Sequence, residues 1–435
     1  MSYGGGQPLA GLLLAVPHRR QKVMECHCDE HGVQPLCRRP LLMSSLPPSS
    51  PRIPMLDFAR GLAMLGIVLM NIVSFGLPRA AYLNPAWQGL PSLADALSWA
   101  LTDMIAQGKF LTLFALLFGA GLQLLLKRGK RWVHARLFWL MLFGLLHGIF
   151  LWEGDILLDY GLTGLVCYGL LRHAESTRML LRTGIALYLI GLVMLVVLSL
   201  ILSPDGGHFW QPDAADVMYE TWWLTQGGPE AWLNRVSLLN ESLLSLGIQY
   251  GWLLCGSMLI GAALMRSGWL RGQFSAPHYR FVAWALLVPA LLINGTGVIS
   301  QWLLQWDYRW CGLLLQIPRE VGAPLQAMAY LALCYGYWST LVNWRATRWI
   351  ANVGRMALSS YLLQTVICTT VFNRLGWFMH LDRWQLLAMV PLVWVCNMLV
   401  AGIWLRYFRQ GPLEWLWHWL TSCIAGPLMP PPSPR

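Results

Sequence analysis

The sequence predicts an all-α fold, a polytopic integral membrane bundle of about ten transmembrane helices with both termini in the cytoplasm. Three observations carry that expectation. Only 12% of the 435 residues are charged and 56% are hydrophobic, whereas soluble domains carry roughly 25% charged residues. Apolar runs of spanning length recur along the chain. The excess positive charge, +11 in all, falls in short clusters between those runs, the pattern of topology determinants rather than of a nucleic-acid surface. No nucleic-acid partner is therefore expected.

Residues 1–52 differ in character from the rest, being rich in Gly, Pro, Ser and Arg. Their apolar patch, 9–16, is too short to span. The basic residues Arg19, Arg20 and Lys22 follow it instead of preceding it, unlike a signal peptide. Cys26, His27 and Cys28, with His31 and Cys37, resemble a zinc cluster only superficially. Cys-x-Cys is not the usual spacing and no second pair follows, so no metal is expected. This segment reads as a disordered or non-native extension, with a membrane half over 53–240, a second over 241–422 and a Pro-rich tail over 423–435.

The ten expected spans are 56–75, 110–126, 137–152, 156–171, 183–202, 243–265, 281–304, 324–342, 357–372 and 386–405. Only Glu153, Gly154 and Asp155 separate the third from the fourth, which predicts a tight hairpin. Fourteen Lys and Arg lie in one set of alternate loops, among them Lys127–Arg131, Arg172, Arg266, Arg345, Arg348 and Arg355, against seven in the other. The positive-inside rule places the first set in the cytoplasm. Glu153, Asp155, Asp159 and the acids from Asp205 to Glu241 gather at the opposite end. The tryptophan-bearing stretches 78–109 and 203–238 read as interfacial helices, with Trp87 a candidate binding residue. The six cysteines within or beside spans read as small core residues.

Polar side chains in apolar runs are costly and are used or paired. Asp57 and Arg60, three apart, share a helical face and can neutralise each other. Asn71 lies deeper in the same run. His147 lies near Asp155 and Asp159, and a histidine beside carboxylates suits proton transfer; packing and hydration are the plainer accounts of the same residues. Arg355 precedes a polar stripe of Ser359, Ser360, Tyr361 and Gln364 that suits either helix packing or a site. Asn294-Gly295-Thr296-Gly297 is expected to break the seventh span. Glu414, near the start of a helix after Gly411-Pro412, is placed where that helix's own dipole favours it. The chain has no Gly-x-Ser-x-Gly, His-Glu-x-x-His or Walker sequence.

Leu56-Asp57-Phe58-Ala59-Arg60-Gly61, Gly66-Ile67, Asn71 and Ala80-Ala81-Tyr82-Leu83-Asn84-Pro85 resemble the start of the YeiB family of bacterial inner-membrane proteins. The resemblance continues through Leu117–Gly121, His147, Gly154-Asp155-Ile156-Leu157, 354–361 and 411–417, and spans roughly 53–422. It implies a multi-pass inner-membrane protein whose C-terminal half is a domain of unknown function. That family is similar in turn to transmembrane acyltransferases such as heparan-α-glucosaminide N-acetyltransferase, through Asp57, Arg60, Gly61 and Asn71. Those enzymes carry a His-x-x-Trp-Asn-Gly-Leu segment with a catalytic His. Here it reads Asn84-Pro85-Ala86-Trp87-Gln88-Gly89-Leu90, and Asn has no titratable proton to relay. A related O-acyltransferase family places His eleven residues after its Arg, where this chain has Asn71.

The resemblance implies an acyltransferase-like enzyme with acyl-CoA as donor, a bilayer environment and an envelope acceptor. His147, Asp155 and Asp57 would be catalytic, and Arg60, Asn71, Asn84, Trp87 and Arg355 would bind substrate or donor. A small-solute permease and a non-catalytic envelope scaffold remain the alternatives.

Overall fold

The structure, a computed structural model, describes residues 53–426. The expectations for residues 1–52, including the Cys26–Cys28 cluster, and for most of the Pro-rich tail lie outside the described residues. In chain order the helices are α1 (Pro54–Gly76), α2 (Leu93–Ile105), α3 (Lys109–Leu125), α4 (Lys130–Phe150), α5 (Leu157–His173) and α6 (Thr177–Ile201). Next come α7 (Gly207–Trp210), α8 (Ala214–Gln226), α9 (Gly228–Ser245), α10 (Gly251–Arg266), α11 (Ala276–Leu303) and α12 (Tyr308–Cys311). The last are α13 (Ile317–Gly336), α14 (Trp338–Leu341), α15 (Arg345–Arg355), α16 (Ala357–Thr369), α17 (Arg383–Tyr407) and α18 (Pro412–Ala425). No strand occurs among the described residues, only an isolated bridge between Trp87 and Gly89. The fold is all-α.

Seven stretches are long and apolar enough to cross a membrane: Pro54–Gly76, Leu93–Arg128, Lys130–Phe150, Thr177–Ile201, Gly228–Arg266, Ala276–Leu303 and Arg383–Tyr407. The other three expected spans fall on α5, α13 and α16. At 17 and 13 residues, α5 and α16 are short. Both α13 and α16 bury polar groups such as Gln326, Ser360, Gln364 and Thr365. A helix shielded from lipid by its neighbours can carry polar side chains that a lipid-facing one cannot.

Pro54 starts α1, its fixed φ suiting the first helical turn. The helix is buried on all sides, with Ala59, Ala63, Ile67 and Ile72 fully enclosed, so it is the hub of the bundle rather than a surface stave. It packs on α3, α15, α16 and α17, while α10 lies against α3, α5 and α6, and α11 pairs with α13. Backbones come very close between α1 and α15, as they do between α3 and α10 at Gly119 and Gly261. A Cβ on Gly61 would sit 1.9 Å from the Ile350 carbonyl oxygen, and one on Gly354 would sit 1.8 Å from that of Asp57. Only glycine allows backbones this near, so two motifs almost three hundred residues apart are one contact surface.

Expectation and structure differ at two places. Asn294-Gly295-Thr296-Gly297 does not interrupt α11, which runs unbroken through it and through Pro289. The Asn294 amide is held instead by Gln326 Oε1 at 2.7 Å, which removes the reason for a break. The tryptophans of 78–109 and 203–238 do not all face an interface. Trp87, Trp99, Trp210 and Trp223 are buried, and Trp222 and Trp232 are exposed. Trp99 meets Trp306 edge-on at 5.2 Å, and Trp210 Nε1 donates to the Trp306 carbonyl at 2.8 Å, so these rings form a small core of their own. Glu414 lies in the first turn of α18, as expected, and its carboxylate also serves a neighbouring helix. Its Oε1 accepts from the N–H groups of Leu358 and Ser359 at 2.8 and 3.1 Å, and its Oε2 accepts from Ser359 Oγ at 2.6 Å. Ser359 Oγ in return accepts from Leu413 N–H at 3.1 Å. The starts of α16 and α18 therefore cap each other, satisfying donors that a helix start leaves open.

Candidate functional site

His147 occupies the last turn of α4, and the chain turns at once through Trp152, Glu153 and Gly154 into α5. The tight hairpin is present, and it decides the geometry. Asp155 returns to face His147 because the helix ends, not because a continuous helix would place them two turns apart. His147 Nδ1 lies 2.8 Å from Asp155 Oδ1, and its Nε2 lies 3.0 Å from Thr365 Oγ1 on α16. The second carboxylate oxygen accepts from Leu158 N–H at 2.9 Å, pinning Asp155 to the first turn of α5. Gly144 makes room, since a Cβ there would fall 2.7 Å from Asp155 Oδ2. Tyr361 Oη accepts from Ile156 N–H and donates to the Gly154 carbonyl, both at 3.3 Å, so α16 also holds the turn.

The carboxylate fixes the tautomer. With Nδ1–H donated to Asp155, Nε2 is left as the acceptor toward the Thr365 hydroxyl. His147 is 2% exposed. Carboxylate, imidazole and hydroxyl in that order is the arrangement that makes an imidazole a base toward a hydroxyl proton. Trp152 closes one side, stacked on Phe75 with ring centroids 4.2 Å apart. Asp159, also buried, lies one turn further along α5.

The remaining sequence-nominated residues are distributed elsewhere. Asp57 and Arg60 form an ion pair at 3.3 Å in the first turns of α1, as their spacing requires. They adjoin Gly354-Arg355 at the end of the bundle that carries Lys127–Arg131, hereafter the basic end. Arg355 NH1 donates to Asn352 Oδ1 at 3.4 Å and NH2 to the Arg409 carbonyl at 3.3 Å. His147 lies apart from this pair, its two ring nitrogens committed to Asp155 and Thr365. Asn84 is fully buried. Its amide donates to the Trp210 carbonyl at 2.9 Å and its Oδ1 accepts from Ala86 N–H at 2.9 Å, a structural turn rather than a base. Asn71 is half-buried in the last two turns of α1, with no side-chain hydrogen bond among the described residues. Trp87 lies in the main core.

Sequence reasoning missed Thr365, although its spacing of four from Tyr361 marks it as the next turn of the same face. It also missed a buried polar cluster at the other end of the bundle, the acidic end. There Arg319 pairs with Asp103 and Glu320, each at 3.4 Å, and Lys109 Nζ donates to the Asp103 carbonyl at 2.5 Å. Tyr82, Thr102, Gln107 and Arg383 are among the other polar residues lining it. Elsewhere, Glu220 of α8 accepts from Arg79 N–H at 3.0 Å. Burial, with Glu153 nearby, pushes its carboxyl up to about 7. Among the described residues, His208, Asp213 and Asp216 are close enough to meet around one metal ion. They are solvated, and both carboxylates are engaged in capping α8.

A family model described as a protein of unknown function, DUF418, matches residues 264–424. Across 372 residues the chain is 57% identical to the uncharacterized protein YeiB of Escherichia coli K12, covering 86% of this chain and 97% of that one. The chain belongs to the YeiB family. Further YeiB relatives lie in other bacteria. The uncharacterized protein YxaH of Bacillus subtilis is 30% identical over 417 residues, 89% of this chain and 98% of that protein. An uncharacterized 39.9 kDa protein of Bacillus acidopullulyticus is 23% identical over 408 residues, 87% and 96% of the two chains. No solved structure matches.

Proposed function

We propose that this YeiB-family chain is a membrane-embedded acyl-transfer enzyme of the bacterial inner membrane, multi-pass, with its basic end in the cytoplasm. The reading rests on the Asp155–His147–Thr365 chain of hydrogen bonds, in which Nε2 is poised toward a hydroxyl at 3.0 Å. An acceptor hydroxyl takes the place of Thr365 against Nε2 and gives up its proton there. The freed oxygen attacks the thioester carbonyl of an acyl-CoA donor, the C–S bond breaks, and the thiolate leaves with the proton returned by His147. Asp155 stabilises the imidazolium between those steps. Asp57 orients Arg60 toward the donor at the basic end.

The test is thioester cleavage by purified protein in lipid nanodiscs with acyl-CoA donors and an envelope lipid extract. Wild-type turnover that disappears in His147→Ala and Asp155→Asn, both still folded, is the expected result. Turnover absent in wild type, or unchanged in His147→Ala, would sink the reading. A second reading is favoured by the burial of His147, Asp155 and Asp159 together. A run of titratable groups inside a bundle suits proton-coupled transport of a small solute. Proton flux in proteoliposomes that depends on Asp155, without thioester cleavage, would select it. A scaffold role predicts no cellular effect of replacing either residue.

A further inference from the structure

We propose that a pocket at the basic end is a binding site for a phosphate-ester ligand. Arg345, Arg348, Asn352 and Arg355 recur at intervals of three, four and three, so they form one stripe along α15. The opposite face of that helix, with Val353 and Gly354, is buried against α1. The stripe looks across a hollow of about 310 Å³ at Arg406 on α17, with Trp349, Gly402 and Leu405 supplying apolar walls.

The charge balance is the central observation. Four guanidinium groups line this hollow, and none of its lining residues is acidic. Arg345, Arg348 and Arg406 have no carboxylate within ion-pair distance among the described residues. Counting Asp57, which touches Gly354 from α1, the wall remains strongly positive. Like charges gathered around a concavity repel one another, and a bound anion relieves that. Arginine is the side chain whose planar fork matches phosphate in two-point contact. The hollow falls at the lower end of ligand-pocket sizes, roughly 300–1,000 Å³, and exceeds what a lone inorganic ion fills. Arg355 is already oriented through Asn352 and the Arg409 carbonyl.

Two sources offer this chemistry. One is the headgroup of an anionic phospholipid, for which exposed Trp344, Tyr407 and Phe408 beside the pocket provide an interfacial rim. The other is a soluble phosphate ester of the coenzyme A or nucleotide kind. The charge of this hollow is independent of the transfer reaction.

The experiment uses full-length protein in nanodiscs of zwitterionic phosphatidylcholine. One arm titrates coenzyme A. The other titrates short-chain phosphatidylglycerol, with bound lipid counted by native mass spectrometry. Wild type and the exposed-residue double variant R348Q/R406Q are compared, with R178Q/R182Q on α6 as a charge-matched control. One probe is expected to bind wild type, to weaken with added salt and to lose about tenfold or more affinity in R348Q/R406Q but not in the control. The arm that responds names the source. The proposal is overturned if neither probe distinguishes wild type from a folded R348Q/R406Q, or if the control loses as much. Coenzyme A binding without turnover would uphold the site while removing the acyl-transfer reading.

Discussion

Replacing Glu414 tests the reciprocal cap between α16 and α18. Glu414→Ala removes three hydrogen bonds at once and leaves the Leu358 and Ser359 N–H groups without their acceptor. Losing a cap acceptor costs about 0.5–2 kcal/mol, and a hydrogen bond to a charged group is worth roughly 1.5–3 kcal/mol. For a partly buried helix start the combined loss is about 3 kcal/mol. With an unfolding entropy near 2.1 cal/mol/K per residue over roughly 370 residues, that lowers Tm by about 4 °C. Glu414→Gln keeps one acceptor oxygen for the two N–H groups but loses the charge beside the helix N-terminus and the bond accepted from Ser359 Oγ, about 1–2 kcal/mol or roughly 1–3 °C. Thermal unfolding in detergent, followed by tryptophan fluorescence, measures both. Since Ser359 returns a bond to Leu413 N–H, Ser359→Ala and Glu414→Ala are expected to be non-additive by about 1 kcal/mol. A Glu414→Ala protein that melts with wild type, or a strictly additive double variant, would refute the cap.

Gly354→Ala is expected to cost about 1–3 kcal/mol or more by forcing backbone apart from backbone, read as a Tm loss that a second, exposed substitution such as Arg348→Ala does not share. Asp155→Asn, which disturbs the tautomer of His147, is expected to lower the proposed turnover about 10²–10⁴-fold with Tm moved far less, measured by thioester cleavage. Glu220 has a raised carboxyl, so the folded state holds its proton between the ordinary value of 4.5 and about 7. Stability therefore falls as pH rises through that window, by about 1–3 kcal/mol, and Glu220→Gln should flatten the Tm–pH curve there. His208 is raised by its bond to Asp216, and Asp216 is correspondingly lowered. Their pairing is complete below the usual histidine range, is lost as pH rises through the raised histidine value, and is also lost as pH falls through the lowered Asp216 value. Histidine NMR titration of wild type against Asp216→Asn reads the difference.

Much of the fold was legible because lipid imposes length and apolarity on any helix that faces it. Seven of the ten apolar runs lie in stretches that could span for that reason, while α5 and α16 are short and α13 carries buried polar groups among its neighbours. The Asp57–Arg60 pair was legible too, since its partners lie on one turn. Pairings that cross the chain were not. Nothing local in α4 says that His147 will meet Thr365, 218 positions away, or that Glu414 will also cap the helix of Ser359. The Arg345–Arg355 stripe had a visible signal in its three-four-three spacing. That signal was absorbed into the count of positive charges that sets orientation, a use that ignores which face the charges occupy.

The glycine contact between α1 and α15 has a consequence in time. Gly61 leaves the ribosome about 290 residues before Gly354, which at roughly 5–20 residues per second is a delay of about 15–60 s. During that interval the most deeply enclosed helix of the finished bundle stands without its closest partner. Its polar entry must then be tolerable alone, and an aspartate three residues from an arginine supplies its own counter-ion. The pair that later adjoins the basic end is thus already neutralised while α1 waits, so insertion of the first span need not await the chain that completes it.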